Sequence, residues 1–369
     1  MNGAGRLNVA VLDGLASDVA VSDLTGLDVV VRDVAGLDVS VRDAAALEVA
    51  VLGVGVLGPG LANWASAQAL LRSGGWCSTP TVVPPPARLP ATERRRAGVV
   101  VKASVVVADE ACAAAGLDPA GLATVFTSST GDPLNCHLLC EALATAERMV
   151  SPTRFTNSVH NAAAGYWHIA TASRQPSTSL AAFDASFGAG LLEAACQCLA
   201  SGQPVLLVAC DAPYPEPLHA LRPLPDVFAV ALVLAPADVG PRASTCTDAR
   251  TDARTDPCIA TPTDTAADKT SSTNISASGA RLSLQCSVAA TPTPCADVGL
   301  EALRRSIPAA QALPLLQALA CPPTAAPTPL VLGGLAGQSL ALSVTLVQTQ
   351  PVQAVQPLQP VQPVQPNPA

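Results

Sequence analysis

The stretch Ser179–Cys210, SLAAFDASFGAGLLEAACQCLASGQPVLLVAC, carries three signals in succession. A loop gives way to a helix-length run of Ala, Gly, Leu and Cys. Gly202 then stops that run, and the apolar PVLLVAC follows as a strand buried on both faces. Loop, small-residue helix, glycine stop and buried strand belong to an α/β architecture. A loop-to-helix entry of this kind also suits a nucleophile, because free N–H groups and the helix dipole favour negative charge there. The residue at this mouth is Ala185, preceded by Asp184.

The same alternation continues outward. LEVAVLGVGVL, LATVFTSSTGD and VFAVALVLAP read as strands, and SLALSVTLV closes the series. Helical patterns occupy GLANWASAQALLRSG, ERRRAGVVVKASVVVADEACAAAGLD, CHLLCEALATAERM, NAAAGYWHIATA, DVGLEALRRS and AAQALPLLQALA. Apolar strands alternating with helices predict an α/β fold whose sheets are covered on both faces. Aromatic residues are only 3% of the chain and concentrate between Phe126 and Phe228, which marks that span as the centre of the core.

Three regions are unlike folded core. Decads such as LDVVVRDVAG and LDVSVRDAAA run from Leu7 to Val56, with an acid every five residues. They read as duplications of a first strand whose parent copy is LEVAVLGVGV; a small solenoid, an acidic docking arm or a cation site are the alternatives. Residues 237–280 are Thr-, Asp- and Ser-rich and hold too little apolar surface to offset ordering. Residues 349–369 are a Pro/Gln repeat suited to polyproline II. The expected organisation is a decad extension over 1–46, a main domain over 47–236 completed by 281–348, an insert over 237–280 and a tail over 349–369.

Composition narrows the function classes. The net charge of −8 argues against a nucleic-acid surface; Arg94-Arg95-Arg96 is the one dense basic run and reads as a solvated helix start or loop. No secretory leader and no membrane span are expected, and 12 scattered cysteines fit reduced thiols in a cytoplasm. Gly53–Gly58, GVGVLG, matches a dinucleotide fingerprint, but Pro59-Gly60 interrupts the helix entry and no acid occurs from Val49 to Thr92. A tight glycine turn is the better account, and no cofactor is expected. Ser128-Ser129 with His160 or His168 lacks the glycine-flanked elbow of a serine hydrolase. Cys136, His137 and Cys140 lack a second ligand pair for a metal.

SPTRFTNSVHNAAAGYWHIATASRQPSTSLAAFDASFGAGLLEAACQCLASGQPVLLVACDAPYPEPL, with LEVAVLGVGVLGPG and FAVALVLAP, resembles the β-ketoacyl synthase-like N-terminal domain family. More closely it is similar to ketosynthase-like chain length factors of aryl polyene and related fatty-acid or polyketide pathways. The resemblance implies a thiolase-like α/β fold, the N-terminal half of a ketosynthase, with stacked sheets and buried helices. It also implies an active-site cysteine at the mouth of a buried helix. Counting back from AACQCLASG puts that cysteine at Ala185, and counting forward from Pro176 puts it at Asp184. Neither is a thiol. The family's second-half histidine motifs have no counterpart, since His219 is the only histidine after His168.

The resemblance therefore implies a non-condensing subunit that pairs with an active ketosynthase or an acyl carrier protein. Phe183, Phe187, Asn161, Tyr166 and Trp167 are the candidates for a tunnel wall or interface. A residual acyltransferase or malonyl decarboxylase using Asp184, His160 or Ser186 is the alternative, and a scaffold acting through its repeats is another.

Overall fold

The computed structural model describes residues 46–237, 280–288, 291–321, 327–335 and 340–348. Nearly all of the decad extension, the insert and the tail lies outside the described residues. In chain order the elements are β1 (Leu47–Leu57), α1 (Trp64–Ser73), α2 (Ala91–Arg96), α3 (Val99–Ala115), β2 (Ala123–Thr127), α4 (Pro133–Ala144), α5 (Pro152–Thr156) and α6 (Ala162–Thr171). There follow β3 (Ser177–Leu180), α7 (Ser186–Ser201), β4 (Val205–Asp211), α8 (Leu218–Leu221), β5 (Phe228–Pro236), β6 (Ala280–Val288), α9 (Val298–Ser306), α10 (Leu313–Ala320), β7 (Thr328–Leu335) and β8 (Leu340–Gln348). Short 3₁₀ turns at Phe183–Ala185 and Pro308–Ala312 precede α7 and α10.

The apolar runs become the centre of one mixed sheet, ordered β3-β2-β4-β5-β1-β6-β8-β7. β2 runs parallel to both β3 and β4, and the remaining neighbours are antiparallel. β4 is buried at every position and β5 at all but Pro236. Their side chains divide by alternation. Val205, Leu207, Ala209, Val230 and Leu232 join α1, α7, α10 and the Pro308–Ala312 turn on one face. Leu206, Val208, Cys210, Ala229 and Ala231 join α3 and α6 on the other. The α/β, thiolase-like architecture expected from the sequence is the observed one. Its described strands form a single sheet rather than separate stacked ones, because β6 takes the free edge of β1, with Val49 opposite Leu282.

GVGVLG has a different meaning from the turn read in the sequence. Gly53 and Gly55 lie inside β1, where α3 crosses it. A Cβ on Gly53 would stand 2.1 Å from the Ala111 carbonyl oxygen, and one on Gly55 2.1 Å from that of Val107. These glycines let a helix backbone touch a strand. The tight turn comes just after, where Gly58 and Leu61 bridge across Gly60 at φ 68°. α3 also supplies Glu110, whose carboxylate accepts from the N–H groups of Val56 (3.0 Å) and Trp64 (2.6 Å), closing β1 and opening α1.

The long helix read across ERRRAGVVV divides into α2 and α3 at Ala97-Gly98. The Asp132 carboxylate occupies the space a Cβ on Gly98 would need, 2.0 Å away. α7 ends as the sequence predicts, with Gly202 at φ 66° and its N–H bonded to the Cys198 carbonyl.

Gly55→Val should cost about 3 kcal/mol or more, since neither backbone can yield. Gly121→Ala, with nothing within 4 Å of the new Cβ, should be near neutral. Paired urea denaturation of the two variants checks the assignment.

Candidate functional site

The mouth of α7 is assembled from four segments. β3 leads into Phe183–Ala185, and Ser186 opens the helix. The Ser186 hydroxyl donates to the Phe183 carbonyl (2.7 Å) and accepts from the Ala182 N–H (3.1 Å). Thr127 Oγ1, at the end of β2, donates to the Ser186 carbonyl at 2.9 Å. Gly190 lets α7 close on β2, its missing Cβ 2.7 Å from Thr127 Cγ2. The elbow is thus tied to the sheet by its own backbone and by two hydroxyls.

Backbone strain falls at Phe183, whose φ is 51°. A bulky residue in that region costs about 1–3 kcal/mol and needs surroundings that hold it there. Those surroundings are visible. The Arg222 guanidinium, just after α8, lies 3.7 Å from the Phe183 ring centroid and pairs with Asp184 at 2.5 Å. Gln311 Nε2 donates to the Asp184 carbonyl at 2.6 Å. Gln311 in turn packs on Gly333 of β7, where a Cβ would stand 2.0 Å from its Oε1. The Pro308–Ala312 turn and β7 therefore roof the mouth, while Ala185 and Ser186 are buried beneath.

The chemistry of this site is limited. Ala185 and Asp184, the positions reached by counting, bear no thiol. Asp184 is engaged by Arg222, and the Ser186 hydroxyl uses its proton on a backbone carbonyl. His160 lies elsewhere, its Nε2 3.3 Å from the Ser128 carbonyl, in the wall of a cavity of about 20 Å³ with Ser104, Asp132 and Cys210. Ser186 is not among that cavity's walls. Of the tunnel or interface candidates, Phe187, Tyr166 and Trp167 are buried in the core, and Phe183 and Asn161 are exposed.

A structural residue missed in the sequence is Asp211, at the end of β4. It is almost fully buried. It accepts from Ser129 N–H and Oγ (both 2.7 Å) and Ser128 Oγ (3.3 Å) through one oxygen, and from Ala309 N–H (2.9 Å) through the other. Burial raises its pKa, and these donors oppose the rise. Ser128 and Ser129 thus bond to the carboxylate directly with no histidine between, so they form a structural clamp and not a triad. An acid ending a fully apolar strand is the signal that could have found it.

The remaining cysteines are not assembled for chemistry. Burial pushes the Cys112 and Cys198 thiols up to about 12. Cys136 and Cys140 are exposed on α4, and among the described residues no group of three or more His, Cys, Asp or Glu could hold a metal ion.

The Arg94–Arg96 run ends α2 rather than starting a helix, and Arg95 and Arg96 are exposed as its solvated reading expects. Arg95 and Arg96 of α2 face Arg154 of α5 across a groove of about 340 Å³ floored by Leu134 and Leu138. Two buried asparagines fix its walls. Asn157 Nδ2 donates to the Arg96 carbonyl and Asn135 Nδ2 to the Arg154 carbonyl, both at 2.9 Å. Arg96 pairs with Glu93 at 3.4 Å, and Asp132 is the groove's own acid.

A buried helix entered through a strained elbow, on a mixed sheet covered on both faces, gives a ketosynthase-like α/β fold whose elbow carries no cysteine. The chain belongs to the β-ketoacyl synthase N-terminal domain family, whose model matches residues 62–289. Three solved structures share the fold. One is the ketosynthase ApeO in complex with its chain length factor ApeC from Xenorhabdus doucetiae, at 19% identity and TM-score 0.54, covering 80% of this chain and 98% of that one. The ishigamide ketosynthase/chain length factor is similar at 13% identity and TM-score 0.55, covering 81% and 99%. A β-ketoacyl synthase from Burkholderia phymatum STM815 gives 14% and 0.53, covering 82% and 100%. No curated protein sequence matches the chain. Among the described residues, no helix is long and apolar enough to cross a membrane.

Asp211→Ala should cost about 3 kcal/mol, by orphaning buried donors. Because the folded pKa is raised, the native state binds more protons than the unfolded one above the ordinary carboxylate value. Stability should therefore fall as pH climbs from about 4 through the raised pKa. Asp211→Asn should remove this component, and thermal melts of both proteins from pH 4 upward measure it.

Proposed function

We propose that this chain is a non-condensing, chain-length-factor-like subunit that pairs with an active ketosynthase in fatty-acid, polyketide or aryl polyene assembly. The observation that carries this reading is the α7 mouth, which keeps an elbow while its nucleophile position is filled and roofed. Two of the similar structures are ketosynthases described together with their chain length factors, which favours a paired role.

The two sheet edges differ in a way that supports pairing along β3. The outer side of β7 is engaged by Thr293, whose N–H donates to the Val331 carbonyl (2.9 Å) and whose Oγ1 accepts from the Val331 N–H (2.8 Å). Pro292, Pro294 and Pro329 further blunt that edge. β3 has β2 on one side and no described strand on the other. Pro176 and Leu180 turn their carbonyls toward β2, so by alternation Ser177 and Ser179 present theirs outward. The arginine groove is the surface we assign to the acidic face of an acyl carrier protein.

Ser179→Pro removes one outward N–H and leaves the β2 ladder intact. It should abolish co-elution with the condensing ketosynthase of the same source while the isolated chain melts normally. A stable monomer that ignores every such ketosynthase would sink the reading.

Arg95→Glu combined with Arg154→Glu should weaken binding of the holo carrier protein about tenfold or more at low salt, with the difference shrinking as salt is added. Titration calorimetry at two ionic strengths checks this.

A further inference from the structure

On the paired-subunit reading, the pairing gains its strength from side chains beside β3. Among the described residues, Arg222 lies over the Phe183 ring, which still stays largely exposed. It is 62% exposed, although an aromatic ring is the costliest kind of side chain to leave in water. It is also held at a φ of 51°, a conformation that relaxes unless something enforces it. Ser186 and Gln311 hold the backbone on either side, and Arg222, paired with Asp184 and 5.9 Å from the Tyr214 ring centroid, lies over the Phe183 ring. The other face of the ring is presented outward. Strain and exposure at one aromatic are the marks of a preorganised contact.

The surroundings extend the contact. Leu218 (48%) and Leu221 (84%) stand exposed on α8, the short helix that delivers Arg222. Phe183 follows the last residue of β3, Leu180, by three positions. A chain paired along the open side of β3 and running past its C-terminal end arrives beside this patch.

We propose that Phe183 is the aromatic anchor of the interface with the partner ketosynthase, and that Arg222 is its positioning residue. Phe183 inserts into an apolar depression next to the partner's paired strand, with Leu218 and Leu221 excluding water around it. Arg222 acts through Phe183 by holding the ring at the required angle.

The test uses the full chain and the separately purified condensing ketosynthase of the same source, with dissociation constants by calorimetry and melting temperatures of the unbound chain. Phe183→Ala should weaken binding at least tenfold without lowering the melting temperature. Phe183→Gly should weaken it as much and raise the melting temperature, because glycine accepts the positive φ. Arg222→Ala should weaken binding several-fold, and Phe183→Trp should retain it. If Phe183→Ala and Phe183→Gly bind within twofold of wild type while Ser179→Pro does not bind, the anchor is overturned and the pairing stands. If Phe183→Gly instead lowers the melting temperature and binds normally, Phe183 is a structural residue and the inference fails. If wild type binds no such ketosynthase, the pairing reading falls and the anchor with it.

Discussion

One buried carboxylate links the parts on which the α7 mouth depends. Asp211 ends β4, holds the Ser128-Ser129 loop at the end of β2 through one oxygen, and holds Ala309 of the roof through the other. Gln311, two residues on from Ala309, reaches the elbow at Asp184. The sheet, the loop and the roof are therefore joined through a single side chain. A carboxylate suits this task because it accepts several hydrogen bonds at once and has no donor to satisfy when ionised. Its cost is desolvation, which four donors offset only in part.

This linkage explains why the mouth is filled and still ordered. A helix entry has free N–H groups and a positive dipole end. At α7 no side chain caps those N–H groups, and the elbow is fastened instead through its carbonyls and Asp184. Ser186 bonds back across the elbow, Thr127 ties the helix to β2, and Arg222 and Gln311 fasten Asp184 from outside. The surface ion pair contributes little by itself, because Asp184 is largely exposed. Its geometric effect is larger, since it fixes the guanidinium that stacks on Phe183.

The sequence made the central strands and the large helices legible because their burial is written in composition. β4 and β5 are uninterrupted apolar runs, and the Gly202 stop after α7 has one physical meaning. β3 escaped because STSL is short and polar, an edge strand defined by its neighbour. Gly53 and Gly55 read as a turn because a helix crossing 52 to 58 residues later leaves no local trace. Counting along the helix leads to Asp184 and Ala185, which lie in the turn just before α7. The strain at Phe183 could not be read at all, since nothing about a phenylalanine announces a positive φ. Asp211 escapes for a related reason, as its four donors come from two segments far away in sequence, Ser128-Ser129 and Ala309.

The energetics of the open edge constrain any partner. Ser177 and Ser179 offer two N–H and two carbonyl groups outward. At about 1 kcal/mol net per hydrogen bond, a complete ladder contributes roughly 4 kcal/mol. Lost translational and rotational freedom opposes association by about 4–15 kcal/mol. Strand pairing alone therefore cannot hold two subunits together; it sets register and direction. The surplus has to come from apolar surface flanking the strand. Each large side chain moved fully out of water contributes about 1.5–3 kcal/mol, so a few exposed apolar residues at the end of β3 supply what the backbone ladder lacks. Such a patch exposed without a partner is a liability in water, which favours its burial in a complex.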